Sequence, residues 1–127
     1  MTFLYKSTPR KPLIFLALFL CAWSNTSIAV SENEVEINHL LQFIGSSNCT
    51  FIRNGEHYPS AEAKLHINKK YNYVKSKVNS AEDFIKYAAT KSSMSGKYYN
   101  VICGEEEKTS KQWLLDELAA YRKNSGP

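Results

Sequence analysis

Glu62 and His66 stand four residues apart, which on a helix puts a carboxylate and an imidazole on one face. A carboxylate beside an imidazole favours the charged ring and can orient it as a general base. Ser92, Ser93 and Ser95 crowd a short segment downstream, so a Ser/His/Glu hydrolase can be assembled from these residue types. No Gly-x-Ser-x-Gly elbow accompanies them, and nothing in the sequence brings the serines to the histidine. A surface pair at i, i+4 is the plainer account of Glu62 and His66. No catalytic residue is assigned, and the balance lies against an enzyme.

Residues Lys91 to Lys97 end in Gly96-Lys97 and hint at a phosphate loop. The motif fails because Lys91 stands where its first glycine belongs, and Tyr98 where a Ser or Thr must follow the lysine. Exposed backbone N–H groups beside Lys91 and Lys97 could instead hold an anion or an acidic partner. The candidate binding residues are therefore Lys91, Ser93, Ser95, Gly96 and Lys97, together with the turn Arg53-Asn54-Gly55. His39, His57, His66 and the cysteines have no ligand spacing of a known zinc site, so no metal and no cofactor is expected.

The chain has 127 residues, formal net charge +4, 43% hydrophobic and 22% charged residues, and three cysteines. That is one domain of sequence, too short for a barrel enzyme and too apolar to be disordered. Its N-terminus carries Lys6, Arg10 and Lys11, an unbroken apolar run from Leu13 to Trp23, and Ser27-Ile28-Ala29. A basic region, a short apolar stretch and a small-x-small site predict a signal peptide over residues 1–29, cleaved after Ala29, and an exported protein. A membrane span needs about 20 apolar residues, more than this run supplies. Cleavage removes the three basic residues and no acidic one, which leaves 13 basic against 12 acidic and a net charge of +1. Such a weak field disfavours a nucleic-acid partner. Cleavage also removes Cys21, and the remaining Cys49 and Cys103 are expected to pair in an oxidising compartment. The bridge would close roughly 55 residues, worth on the order of 4 kcal/mol by the chain-entropy argument.

The elements that must position these residues read as follows. Ser31 and Glu34 have capping-box spacing, and Ile37, Leu40, Leu41 and Ile44 follow on one face, predicting a first helix from Ser31 to Ile44. Cys49 to Arg53 reads as a short strand, followed by the turn signal Asn54-Gly55 and at most a brief return arm before Pro59. A second helix is expected from Ser60 to about Tyr71, and a third, opened by Ser80-Ala81-Glu82-Asp83, from Ser80 to Thr90. Lys97 to Cys103 alternates as a second strand, Glu105-Glu106-Glu107 reads as a solvated loop, and a fourth helix follows Thr109 and ends by Lys123. The expected fold is α+β, a single small domain over residues 30–127. About four helices pack on a short two-stranded antiparallel element tied by the Cys49–Cys103 bridge, with Phe51 and Val101 facing the helices. No internal repeat is legible.

Several separated blocks resemble a known family. These are Phe51-Ile52-Arg53-Asn54-Gly55, Tyr58, Glu62-Ala63 with His66, Ser80-Ala81-Glu82-Asp83-Phe84-Ile85, Lys91 to Lys97, and Tyr99-x-Val101-x-Cys103. Together they are similar to the YfeK-like family of small exported bacterial proteins of unknown function. The resemblance implies a Gram-negative, periplasmic protein and brings no activity with it. The expected function is a non-enzymatic binding or interaction domain of the cell envelope, its partner and oligomeric state unspecified. Two alternatives stand beside it. One is the small hydrolase already described. The other is an envelope inhibitor of a lysozyme-like enzyme, because Ser95-Gly96-x-Tyr98 is loosely similar to the Ser-Gly-x-x-Tyr loop of bacterial lysozyme inhibitors.

Overall fold

The computed structural model describes Pro9, Ser24 and residues 26–126. The expected signal peptide, Cys21 included, falls almost wholly outside the described residues. The order of elements is α1 (Glu32–Ser46), β1 (Thr50–Arg53), β2 (Glu56–Pro59), α2 (Ser60–Val74), a single 3-10 turn (Lys75–Lys77), α3 (Ala81–Ala88), β3 (Asn100–Cys103), β4 (Glu106–Thr109) and α4 (Ser110–Ser125). Among the described residues no helix is long and apolar enough to cross a membrane.

Three helix starts follow from side-chain caps. Ser31 Oγ accepts from the Glu34 N–H, Ser80 Oγ from the Asp83 N–H and Thr109 Oγ1 from the Gln112 N–H, each meeting a donor that the first turn leaves unpaired. The apolar stripe of α1, Ile37, Leu40, Leu41 and Ile44, is buried as its spacing predicts. Phe84 and Ile85 of α3 are also fully buried. Helix α3 is shorter than expected, ending at Ala88 rather than Thr90. Helices α2 and α4 run further than expected, to Val74 and Ser125.

The sheet has four antiparallel strands in the order β2-β1-β3-β4, not two. The central pair matches the expectation: Phe51 lies opposite Val101, both buried toward the helices. What the sequence reading missed is the outer pair. Glu56–Pro59 is a full strand on β1, and the acidic run taken for a loop is a second hairpin, with Glu106–Thr109 paired on β3. Both edge strands are largely exposed, so they carry no apolar alternation to read; backbone hydrogen bonds and the preceding turns define them. Their charged side chains also discourage pairing with another chain. Asn54 and Gly55 have φ of 51° and 79°, the left-handed pair that a type I′ turn requires.

The structure also overturns the expectation that the chain has no repeat. It is two copies of an α-β-β-α unit, and β1-β2-α2 recurs as β3-β4-α4 at a spacing of 50 residues. Every strand pairing, shifted by 50, becomes another observed pairing. Thr50 with Ile102 becomes Ile52 with Asn100, and Phe51 with Tyr58 becomes Val101 with Lys108. A pseudo-two-fold therefore passes between Phe51 and Val101. Only scattered identities survive across β1-β2-α2 and its copy, Ile52/Ile102, Glu56/Glu106, Ser60/Ser110, Leu65/Leu115 and Tyr71/Tyr121, too few to show without the fold. The halves differ most before the central strands. α1 reaches β1 across three residues, whereas residues 89–99 separate α3 from β3.

Cys49 and Cys103 are bonded, with Cα atoms 4.6 Å apart, and tie the first half to the second. In the β1–β3 register they are directly opposed, one step beyond Thr50 and Ile102. The pseudo-two-fold carries this pair onto Tyr99 and Arg53, at the other end of the same strands. One end of the central pair is thus closed by a covalent bond and the other by polar side chains.

Candidate functional site

At the Arg53 end, four elements converge. Arg53 ends β1, Tyr58 stands on β2, and Ala63, His66, Ile67 and Lys70 share one face of α2 by their i, i+3, i+4, i+7 spacing. Tyr99, buried just before β3, completes the group; its N–H donates to Thr90 O and its carbonyl accepts from the Ser110 N–H.

A continuous polar chain joins these side chains. Tyr58 donates its hydroxyl to Glu56 Oε2 at 2.5 Å, and Arg53 Nη2 donates to Tyr58 Oη at 3.1 Å. Arg53 Nη1 lies 2.6 Å from His66 Nδ1 and 2.9 Å from Nε2. A neutral imidazole has one ring acceptor, so one of these contacts is the hydrogen bond. The guanidinium can only donate and lies nearer Nδ1, so Nδ1 accepts from Arg53 and the ring proton falls on Nε2, 3.3 Å from Tyr99 Oη, which can accept it. Lys70 Nζ lies 3.4 Å from the same hydroxyl, donates to the Lys91 carbonyl and stands 5.2 Å from the Tyr99 ring centre. Burial, then the charges of Arg53, Lys70 and Lys69, hold the His66 pKa below its ordinary value, in agreement with the neutral tautomer. Burial and Lys91 lower the Lys70 pKa, and burial raises that of Tyr99 against the opposing effect of Arg53.

Two hollows meet at Arg53, His66 and Tyr99. One is a cavity of about 130 Å³ walled by Phe51, Tyr58, Ala63 and Ile67. The other is a wider groove of about 640 Å³ between α2 and the α3–β3 loop, where Lys69, Lys70, Tyr73 and Met94 stand. Among the described residues, neither Arg53, Lys69 nor Lys70 has a carboxylate within ion-pair distance.

The two halves of the expected binding surface do meet. Ser95 Oγ donates to Asn54 Oδ1 at 2.5 Å, joining the Arg53-Asn54-Gly55 turn to the Ser92–Lys97 loop, and Ser93 lines the groove with His66. Four of the loop's backbone N–H groups are bonded within the loop itself. Those of Ser92, Ser95, Gly96 and Lys97 bond to Lys97 O, Ser92 Oγ, Ser92 O and Ser95 Oγ respectively. Lys91 and Lys97 are exposed at the rim. Among the described residues, no hydrogen bond joins His66 to Glu62 or to a serine of the hydrolase alternative. His66 bonds to Arg53 and Tyr99, with no hydrogen bond to Ser92, Ser93 or Ser95, and Glu62 lines the cavity without bonding to His66. His39 pairs with Glu117 at 2.8 Å and stacks on Tyr121, a structural role. Among the described residues no group of three or more His, Cys, Asp or Glu side chains could hold a metal ion. The sequence reading missed Tyr58, Ala63, Lys70 and Tyr99. For Ala63 and Lys70 the signal was the α2 face at 63, 66, 67 and 70, which mixes charge with apolar residues and so resembles neither a core stripe nor a motif; Tyr58 and Tyr99 lie outside α2 and had no such signal.

Residues 31–122, which include the whole site and all but the end of α4, match the DUF5329 family of unknown function. The chain belongs to that family. It is similar to the uncharacterised protein YfeK of Salmonella typhimurium, 33% identical over 88 residues that cover 68% of this chain and 71% of YfeK. No solved structure matches it.

Proposed function

We propose that this DUF5329 protein is a non-enzymatic binding domain of the bacterial envelope, exported to the periplasm by residues 1–29, and that it holds an anionic group in the groove beside Arg53. The observation that carries the reading is a cluster of cations, Arg53, Lys69 and Lys70, in a concave site without an ion-paired carboxylate among the described residues. Guanidinium groups so placed take carboxylate or phosphate oxygens well, because their donors form a planar fork. Binding rather than turnover is favoured by His66, whose ring nitrogens are engaged by Arg53 and Tyr99 rather than by Ser92, Ser93 or Ser95.

Acetate, phosphate and sulfate, titrated into the ¹⁵N-labelled mature protein, test the reading. At least one should shift the amides of Arg53, Lys70 and Tyr99, and the shifts should vanish in Arg53→Gln. A flat response to all three anions overturns it. For export, fractionation of a Gram-negative host should recover a chain beginning at Val30 in the periplasm; an intact chain in the cytoplasm would sink that part.

A further inference from the structure

The duplication supplies a comparison within the molecule. The cleft of the second half is lined by Val101, Cys103, Lys108 and Trp113, the residues equivalent to Phe51, Arg53, Tyr58 and Ala63. Its cation is neutralised: Lys108 Nζ lies 3.4 Å from Glu106 and 3.7 Å from Asp116. Its helix position carries a ring, since Trp113 packs at a tilt against Phe43 at 4.5 Å and meets Phe51 edge-on at 5.4 Å. In the first half both features are missing. Among the described residues Arg53 has no carboxylate within ion-pair distance, and Ala63 puts only a methyl group where its counterpart puts an indole.

The hollow beside Ala63 has the size and chemistry of a ring site. Its volume of about 130 Å³ is close to that of an apolar cavity known to take benzene, about 150 Å³; the cleft of the second half is equally large, so the unpaired guanidinium at its mouth, not its size, sets this one apart. Phe51, Tyr58, Ala63 and Ile67 offer an apolar and aromatic wall, to which Glu62 adds one carboxylate, and the cavity shares Arg53, His66 and Tyr99 with the groove. A ring in the cavity thus leaves an attached anion next to the guanidinium. Apolar pockets with a few convergent polar groups are the usual form of small-ligand sites.

We infer that the site takes an aromatic carboxylate, with a phenyl-sized ring in the cavity beside Ala63 and the carboxylate on Arg53 at the mouth of the groove. The inference rests on the anion-binding reading above and adds the ring. The same chemistry is offered by a free aromatic acid and by the C-terminal residue of a peptide ending in phenylalanine.

Titration of the mature protein with 3-phenylpropanoate, propanoate and 3-phenylpropanamide separates the parts. 3-Phenylpropanoate should bind about tenfold or more tighter than either of the others, since burying a phenyl ring and pairing a carboxylate each supply at least that factor. Ala63→Trp should erase the advantage of 3-phenylpropanoate over propanoate. Arg53→Gln, which adds no bulk, should erase its advantage over the amide and keeps the test open if Ala63→Trp fails to fold. Equal binding of propanoate and 3-phenylpropanoate overturns this inference and leaves the anion groove standing. Equal binding of acid and amide also overturns it, and the small-anion titration then decides the groove separately. A tripeptide Ala-Ala-Phe with a free C-terminus, set against 3-phenylpropanoate, supports the inference whichever binds tighter, and the order assigns the source.

Discussion

Removing the Cys49–Cys103 bond is expected to cost this domain a large share of its stability. The bond joins residues 54 apart, and the loop it closes contains β1, β2, α2 and α3, so it ties the first half of the duplication to the second. For a closed loop of that length the chain-entropy argument gives about 4 kcal/mol at 25 °C. A domain of this size has about 5–15 kcal/mol in total. With a urea dependence of about 1–2 kcal/mol per molar for so small a domain, the unfolding midpoint should fall by about 2–4 M in Cys49→Ala/Cys103→Ala. The thermal midpoint should fall by about 15–30 °C. The urea slope itself should steepen, because an unlinked unfolded chain exposes more surface. Circular dichroism at 222 nm against urea, on the variant and on reduced wild type, measures all of this. A midpoint loss below about 0.5 M with an unchanged slope would refute the reasoning, and would mean that helix packing alone holds the halves together.

Two further outcomes follow from the same geometry. The His66 pKa is lowered in the fold, from an ordinary value of 6.5, so above that value neither state takes a proton and stability is full. As pH falls below it the unfolded chain binds a proton that the folded chain resists, so stability should decline until the folded pKa is reached; a pH series of urea midpoints should show this loss, and His66→Gln should flatten it. Arg122 of α4 bonds the buried Glu36 of α1 and also Glu82 of α3, with Nε 2.6 Å from Glu36 Oε2. Because Arg122 is itself 46% exposed, Arg122→Ala should cost about 2 kcal/mol, between the values for surface and buried pairs, with recovery when Glu36→Leu is added; thermal melts with no loss for the single variant would contradict this.

Much of the helical frame was legible because it is written in local terms. Ser31, Ser80 and Thr109 are caps whose side chains bond within their own first turn, and the α1 stripe repeats with the helical period. The Asn54-Gly55 turn was equally plain, since few other pairs accept positive φ at both positions. β4 was not, because an exposed edge strand needs no apolar residue and Glu106-Glu107-Lys108 carries none. The repeat was hidden for a related reason: a duplicated backbone is kept by burial pattern and register, and both tolerate nearly complete change of side chains.

The candidate site divides the same way. Sequence alone singled out Arg53, His66 and the Ser92–Lys97 loop, and the expected loss of Cys21 with the signal peptide left Cys49 and Cys103 as the pair. Only the tertiary structure could decide that His66 answers to Arg53 and Tyr99 rather than to Glu62 and a serine. Those partners lie 13 and 33 residues away and meet through the β1–β3 register. The tertiary structure also decided that one end of the central strand pair is a disulfide and the other, its pseudo-symmetric counterpart, a polar site. Local spacing governs what a helix face or turn can be, but which faces meet depends on strand pairing between segments 50 residues apart, and no short-range pattern records that.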